Sequence, residues 1–492
     1  TLSCNHKSIP LLEQFACFDF QLNVMMRVFM RSCTRRNVFT VFENSFATTC
    51  CALVLVVVLN LFFTKHVFGQ GAGFGAQAVG GISVDTDGIV RTINPQALAS
   101  IAAQRKKILS ANPPKTGQRC ELQKVSLKRI LEDVQRAVTE HDLVSPEVLT
   151  LGGLEQIEYV FVDPDAHDLI LAGPSDEVAV DGNGSFVGAT SGRPLLLLED
   201  LVVALRSIDA ARMGVIRCSI DPTPEGIARL QEILSSIKQM PNPQKIFRSM
   251  EEALGPQQVT VGGVPADTHF AQVLVAADYR MKRIGMGLES SEVAELPSYL
   301  SMVQATAGST MLPRFWLEAQ YSPIARDPDE LGWKLTGGKM VCLTETDLLV
   351  REGMKRGSGR TDKNAALWCE QMTACYDDLA SNKPVFRELM NCVDLAVVAA
   401  LIDSRQLADR AGLDLSLLKD ASSVQLSSYE VPKQVPTVAH GIKRGSRWVL
   451  SASGGVQFQP WAFLEEVIET PDVGSARKLA LASRPETGIC WE

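Results

Sequence analysis

The sequence predicts an α+β or α/β body of mixed sheets with packed helices, in two or three subdomains behind an N-terminal export signal. Three observations carry that prediction. The 492 residues, 46% hydrophobic and 21% charged, are too many for one hydrophobic core and too apolar for a disordered chain. Helical stripes with apolar residues at i, i+3 and i+4 alternate with β-branched runs between Val215 and Leu288. Short alternating runs punctuated by Gly, Pro and Asp flank that block on both sides. The regions delimited this way are 1–69, an N-terminal extension with the signal; 70–120, a Gly/Ala-rich tether, hairpin and helix; 121–310, a central α/β region; 311–465, a C-terminal α+β region; and 466–492, a polar tail.

Met25, Met26 and Met30 are usable starts. From Met30 the order is Arg31, Arg35 and Arg36, then the apolar run Cys50 to Phe63, then small residues, which is the order of a secretory signal peptide. The run contains Asn60 and is shorter than the roughly 20 residues of a bilayer span. Cleavage sites fall after Gly69 and after Ala78; the competing reading is an uncleaved anchor with the body outside the membrane. Both readings export the body to the periplasm, the cell surface or the medium.

Asp87-Gly88, between ISV and IVRTI, is a hairpin signal. Asp85 and Asp87 begin like a calcium loop but lack its later ligands. Asn94 to Leu109 reads as a helix. Ser126 caps another, with Leu127, Ile130, Leu131, Val134 and Val138 on its apolar face. Ile157 to Val162 pairs with Leu169 to Ala172 across DPDAHD, and Val178 to Val180 with Ser185 to Ala189 across DGNG. Leu195 to Ile208 is a largely buried helix that nonetheless carries Glu199, Asp200 and Arg206.

Val215 to Ile220 is a strand, and Thr223-Pro224 starts a helix. After Pro243 to Leu254 come the strand at Val259, a Gly-Gly-Val-Pro turn and a helix capped by Asp267 or Thr268. Phe270, Val273, Leu274, Ala277, Met281 and Ile284 form its core stripe, with Asp278, Arg280, Lys282 and Arg283 outside it. Strand, helix, strand and helix in this order suggest an α/β layer with parallel pairing. Arg314 to Tyr321 alternates as a strand, with Trp333 to Leu335 and Lys339 to Leu343 as hairpin partners. Arg351 to Lys363 is a basic, Gly-rich loop without a P-loop ending. Helices are expected over Ala365 to Ala380 and Pro384 to Ile402, the second buried, and β-like pieces around Trp448 and Val456 to Trp461.

Formal net charge is −8. Residues 1–66 hold more basic groups (Lys7, Arg27, Arg31, Arg35, Arg36, Lys65) than acidic ones (Glu13, Asp19, Glu43), so the body is more acidic still. That charge disfavours nucleic acid as a partner and leaves the membrane only through an uncleaved N-terminal segment. Asp163, Asp165, His167 and Asp168 gather oxygen and imidazole donors in one loop and are the metal candidates; a Pro-Asp turn explains the same letters. Asp267, His269 and Asp278 could form an acid/base set, but Asp278 is about 13 Å along the helix from His269. Of the 12 cysteines none forms a Cys-x-x-Cys pair. Cys369, Cys375 and Cys392 cluster on two helices, where Cys392 could pair with either of the others; buried free thiols are the favoured reading. No cofactor motif is present: G-x-G-x-x-G, H-E-x-x-H and G-x-S-x-G are all missing.

The run GGVPADTHFAQVLVAADYRMKRIGMGLE, then PSYLSMV, FRELMNCVDLAVVAALI and SGGVQFQPWAF, resembles an uncharacterised family of secreted bacterial proteins known only as a domain of unknown function. The likeness spans roughly residues 80–465; the first 30 residues look foreign to such proteins. It implies export and a shared fold, and brings no activity or catalytic residue. The sequence therefore points first to an exported, non-catalytic binding or structural protein with a protein or glycan partner. The alternative is a secreted hydrolase, metal-assisted at the DPDAHD loop or working from residues 267–280.

Overall fold

Two seven-stranded sheets organise the body. The computed structural model describes residues 78–492 apart from 94, 112, 114–118, 237–242, 304–310, 351–352, 356–360 and 439–452. These belong to one compact unit, His66–Glu492. The signal segment, most of the Gly/Ala tether, most of the basic loop and the piece around Trp448 lie outside the described residues.

The first sheet runs, edge to edge, Gly353–Lys355, Lys339–Val350, Met311–Gln320, Ser453–Phe458, Ile216–Asp221, Gln257–Gly262 and Gln434–Val435. The second runs Val467–Glu469, Ile324–Arg326, Gly332–Lys334, Tyr159–Asp163, Asp168–Ser175, Cys120–Ser126 and Cys490–Trp491. The regions 121–310 and 311–465 give strands to both sheets, so they interleave rather than stand apart. The fold is α+β with mixed sheets. Ile216–Asp221 and Gln257–Gly262, expected to be parallel, pair antiparallel. Parallel pairing occurs instead where distant segments meet, Met311–Gln320 with Ser453–Phe458 and Ile324–Arg326 with Val467–Glu469. Gly332–Lys334 leaves the expected hairpin and joins Tyr159–Asp163 in the second sheet.

Local signals hold well. Asp85 Oδ1 accepts from the amides of Asp87 and Ile89, which closes the Asp87-Gly88 turn and spends the carboxylate there. Ser126 caps Leu127–Glu140, whose buried face is Leu127, Ile130, Leu131, Val134 and Ala137. The polar tail is structured: Pro471–Ala482 is a helix, and Ala480 and Trp491 pack with Phe161 and Ile170.

The central helix is His269–Gly285, capped by Thr268, whose hydroxyl accepts from the Ala271 amide at 3.2 Å. It rests on the first sheet, and the long helix Val385–Ser404 packs against it. Sandwiched in this way, it is buried beyond the stripe that its periodicity marks. Asp278 and Lys282, which the periodicity sets outside the apolar stripe, are 0% and 7% exposed. Lys282 Nζ donates to Asp278 Oδ2 at 2.9 Å and to the carbonyls of Ile220 and Gly454 at 2.9 and 3.1 Å. An ammonium can enter a core only when its donors are met, and here they tie the helix to two neighbouring strands. Burial raises the Asp278 pKa from 3.8 to about 6 against the opposing pull of Lys282.

Candidate functional site

The N-terminal turn of the central helix meets Leu198–Arg206, the start of the long helix and the small three-stranded sheet within Ala78–Thr92. His269 Nδ1 lies 3.0 and 3.1 Å from the two carboxylate oxygens of Asp200. Tyr429 stands edge-on to the imidazole at 5.9 Å, and its hydroxyl donates to Glu199 at 3.4 Å. Glu388 comes from the long helix; its Oε1 accepts from Ser185 at 3.2 Å and its Oε2 is buried without a hydrogen-bond partner. Arg105, on the helix Pro95–Ala111, donates to the Gly184 carbonyl at 2.6 Å and covers the Phe186 ring at 5.4 Å.

Two cavities of about 20 Å³ each flank Glu388, and Ala78, Ser185 and Glu388 line both. A volume of that size holds about one water. One cavity also exposes Asp200, His269, Arg105 and Asn391; the other adds Asp181 and Arg280. Larger hollows elsewhere are open surface features. The one of about 420 Å³ over residues 284–298 includes Glu289, which is already held by Arg280 and Arg283.

The electrostatics of the cluster follow from burial and carboxylate number. Desolvation by itself would lower the His269 pKa, but the charge and hydrogen bond of Asp200, then Glu199 and Glu388, outweigh it and lift the value from 6.5 to about 9. Burial raises Glu199 and Glu388, each opposed by the positive imidazole. Cys392, on the same long helix, is pushed well up by burial and then by Asp200 and Glu388. The result is an imidazolium in a nest of carboxylates. Such a group donates hydrogen bonds and carries charge, and it is a poor general base at neutral pH.

Sequence alone singles out His269 but not its partner. Asp267 stays on the surface and offers its carbonyl to the Tyr429 amide, while Asp278 faces the sheet. Asp200, Glu388, Tyr429 and Arg105 are brought in from other elements. The visible signal was a pair of acids, Glu199-Asp200, in a helix that is otherwise apolar up to its terminal Arg206.

The metal candidates are placed differently. Asp163 and Asp168 face each other across the hairpin, and Arg484 donates to both, at 2.9 and 2.6 Å. Asp168 also accepts from Ser126 Oγ and the Lys128 amide, at 2.5 and 2.8 Å. Asp165 and His167 are exposed, and the His167 ring approaches the Ala411 carbonyl at 3.2 Å. Among the described residues no group of three or more His, Cys, Asp or Glu is arranged to hold a metal ion. Cys369, Cys375 and Cys392 are free thiols. Cys392 stands by Asp200, and the sulfur nearest Cys369 is that of Cys342.

The central strand, the turn and the helix that carries His269 fall together in one comparison. Residues 218–299 match the family described as a protein of unknown function, DUF1598. That segment supplies His269 and the Asp278–Lys282 pair to the fold. No curated protein and no solved structure matches the chain. Among the described residues no helix is long and apolar enough to cross a membrane.

Proposed function

We propose that this is an exported protein that binds rather than catalyses, and that its site is the acidic cluster beneath Ala78–Gly81, where a cationic group of a partner protein takes the place that Arg105 fills. The observation that carries this reading is Glu388: 8% exposed, lining both cavities, with one carboxylate oxygen unpartnered. A buried carboxylate in that state costs stability unless a donor reaches it, and a guanidinium or ammonium group supplies donors and charge together. The chain already brings one such group to the place, Arg105, which stands near enough to Glu199 and Tyr429 to favour ionised carboxylate and disfavour neutral phenol. Arg105 is thus an internal occupant that a basic side chain of the partner displaces.

The hydrolase alternative has less behind it. A histidine held protonated up to about pH 9 does not take a proton from water at neutral pH. Of the DPDAHD carboxylates, Asp163 and Asp168 are committed to Arg484, and Asp168 also to the start of a helix, while Asp165 stands exposed.

Calorimetric titration with agmatine, which carries a guanidinium and an ammonium, tests the site. Weak binding to the wild type, at least tenfold tighter binding to Arg105→Ala and none to Arg105→Ala/Glu388→Gln is the expected pattern. Equal or absent heats in all three folded proteins would remove the proposal. Export is tested separately, by fractionating a bacterial host that expresses the chain from Met30 and weighing the mature product.

A further inference from the structure

We propose that Cys342 and Cys369 are joined by a disulfide in the mature protein, tying the first sheet to the helix that packs on it. Cys342 lies on the strand Lys339–Val350 and Cys369 on the helix Lys363–Ala374, each 4% exposed, with their sulfurs 3.3 Å apart. Both are free thiols in this structure, close enough for one S–H to donate to the other sulfur. A bond forms at about 2.05 Å, so the sulfurs need to close by little more than an ångström. The two elements are held in register beside this point by a second contact, in which the Thr373 hydroxyl accepts from the Cys342 amide at 2.9 Å. The bridge would close the chain around the basic loop Arg351 to Lys363, between the strand and the helix.

Neither cysteine is reachable once the sheet and the helix have met, and burial raises the Cys342 thiol well above its ordinary range. The bond therefore forms during folding, while one thiol is still open to thiolate exchange. A disulfide oxidant such as oxidised glutathione is required. One cysteine thiolate attacks it and releases a glutathione thiol; the second attacks the mixed disulfide and releases another. The protein loses two protons and two electrons, and the oxidant's S–S bond is reduced to two thiols.

The test starts from the full chain, unfolded and reduced, and refolds it with and without a glutathione redox pair. Folding is checked by near-ultraviolet circular dichroism, and the product is quenched with acid. The expected result is a loss of about 2 Da in the oxidising arm, with one cross-linked peptide joining Cys342 to Cys369 in a non-reducing digest. Cys342→Ala and Cys369→Ala should each abolish the loss, and Cys375→Ala should leave it unchanged. Native protein from the oxidising arm whose Cys342 and Cys369 both react with an alkylating reagent after unfolding overturns the proposal. A bridge to any other cysteine does the same. If the alanine variants fail to fold, the wild-type peptide map decides alone, and it does so whether or not the acidic cluster binds agmatine.

Discussion

His269 and Asp200 meet at 3.0 Å from two helices that are 69 residues apart in the chain, and their pairing makes the protein's stability depend on alkali. The folded-state pKa of His269 is raised from 6.5 to about 9, so the native state holds a proton that the unfolded chain gives up. The stabilisation is complete below about pH 6.5 and is lost as pH rises through about 9, an upper limit of about 3 kcal/mol. Urea midpoints measured from pH 6 to pH 10 should fall across that window. Asp200→Asn should flatten the slope; an unchanged slope would show that the pair does not titrate as described.

Asp394 is a buried group whose charged form the fold disfavours, and its contribution to stability also falls as pH rises. It sits on the long helix, 3% exposed, and accepts a short hydrogen bond from the Tyr321 hydroxyl. Burial, partly offset by Tyr321 and Arg387, raises its pKa from 3.8 to about 7. The unfolded chain ionises first, so stability drops as pH rises between those values. Asp394→Asn keeps an acceptor for Tyr321 and removes the buried charge. It should stabilise the protein by about 2 kcal/mol at pH 8 and little at pH 4, as read from melting curves at the two values.

Arg484 is the sole cation within salt-bridge distance of Asp163 and Asp168 among the described residues. Arg484→Met leaves two buried carboxylates facing each other and should cost about 3–5 kcal/mol by denaturant titration. Adding Asp163→Asn should recover part of the loss. Full stability in the single variant would mean that the tail does not hold the hairpin.

Gly454 tests the seam between the two halves of the first sheet. A Cβ there would stand 1.5 Å from the Phe315 carbonyl, at φ +137°. Gly454→Ala should therefore fail to reach the native near-ultraviolet spectrum. Gly192→Ala has a positive φ but open space around it, and should fold with a penalty of about 1 kcal/mol.

Much of the local structure was legible in the letters. Ser126, Thr223-Pro224, Asp87-Gly88 and the Asp163–Asp168 hairpin are set by capping, turn chemistry and alternation, which act over a few residues and leave a mark in sequence. Helical periodicity found the buried face of His269–Gly285 but placed Asp278 and Lys282 outside it. Periodicity ranks residues by polarity and has no means of seeing that a charged pair four residues apart satisfies itself against two strands.

By itself the sequence determined the element types, the main turns, a mixed α and β class left open between α+β and α/β, and the likeness of its central segment to a family without known activity. The tertiary structure decided the pairing of Ser453–Phe458 with Met311–Gln320 and the crossing of Gly332–Lys334 into the second sheet. It also decided the closure of that sheet by the tail, and the company of His269. Those outcomes depend on which surfaces remain to be buried once every element has formed. Asp200, Glu388 and Arg105 reach one cavity because the helices that carry them pack together, and the spacing of residues along the chain holds no record of that.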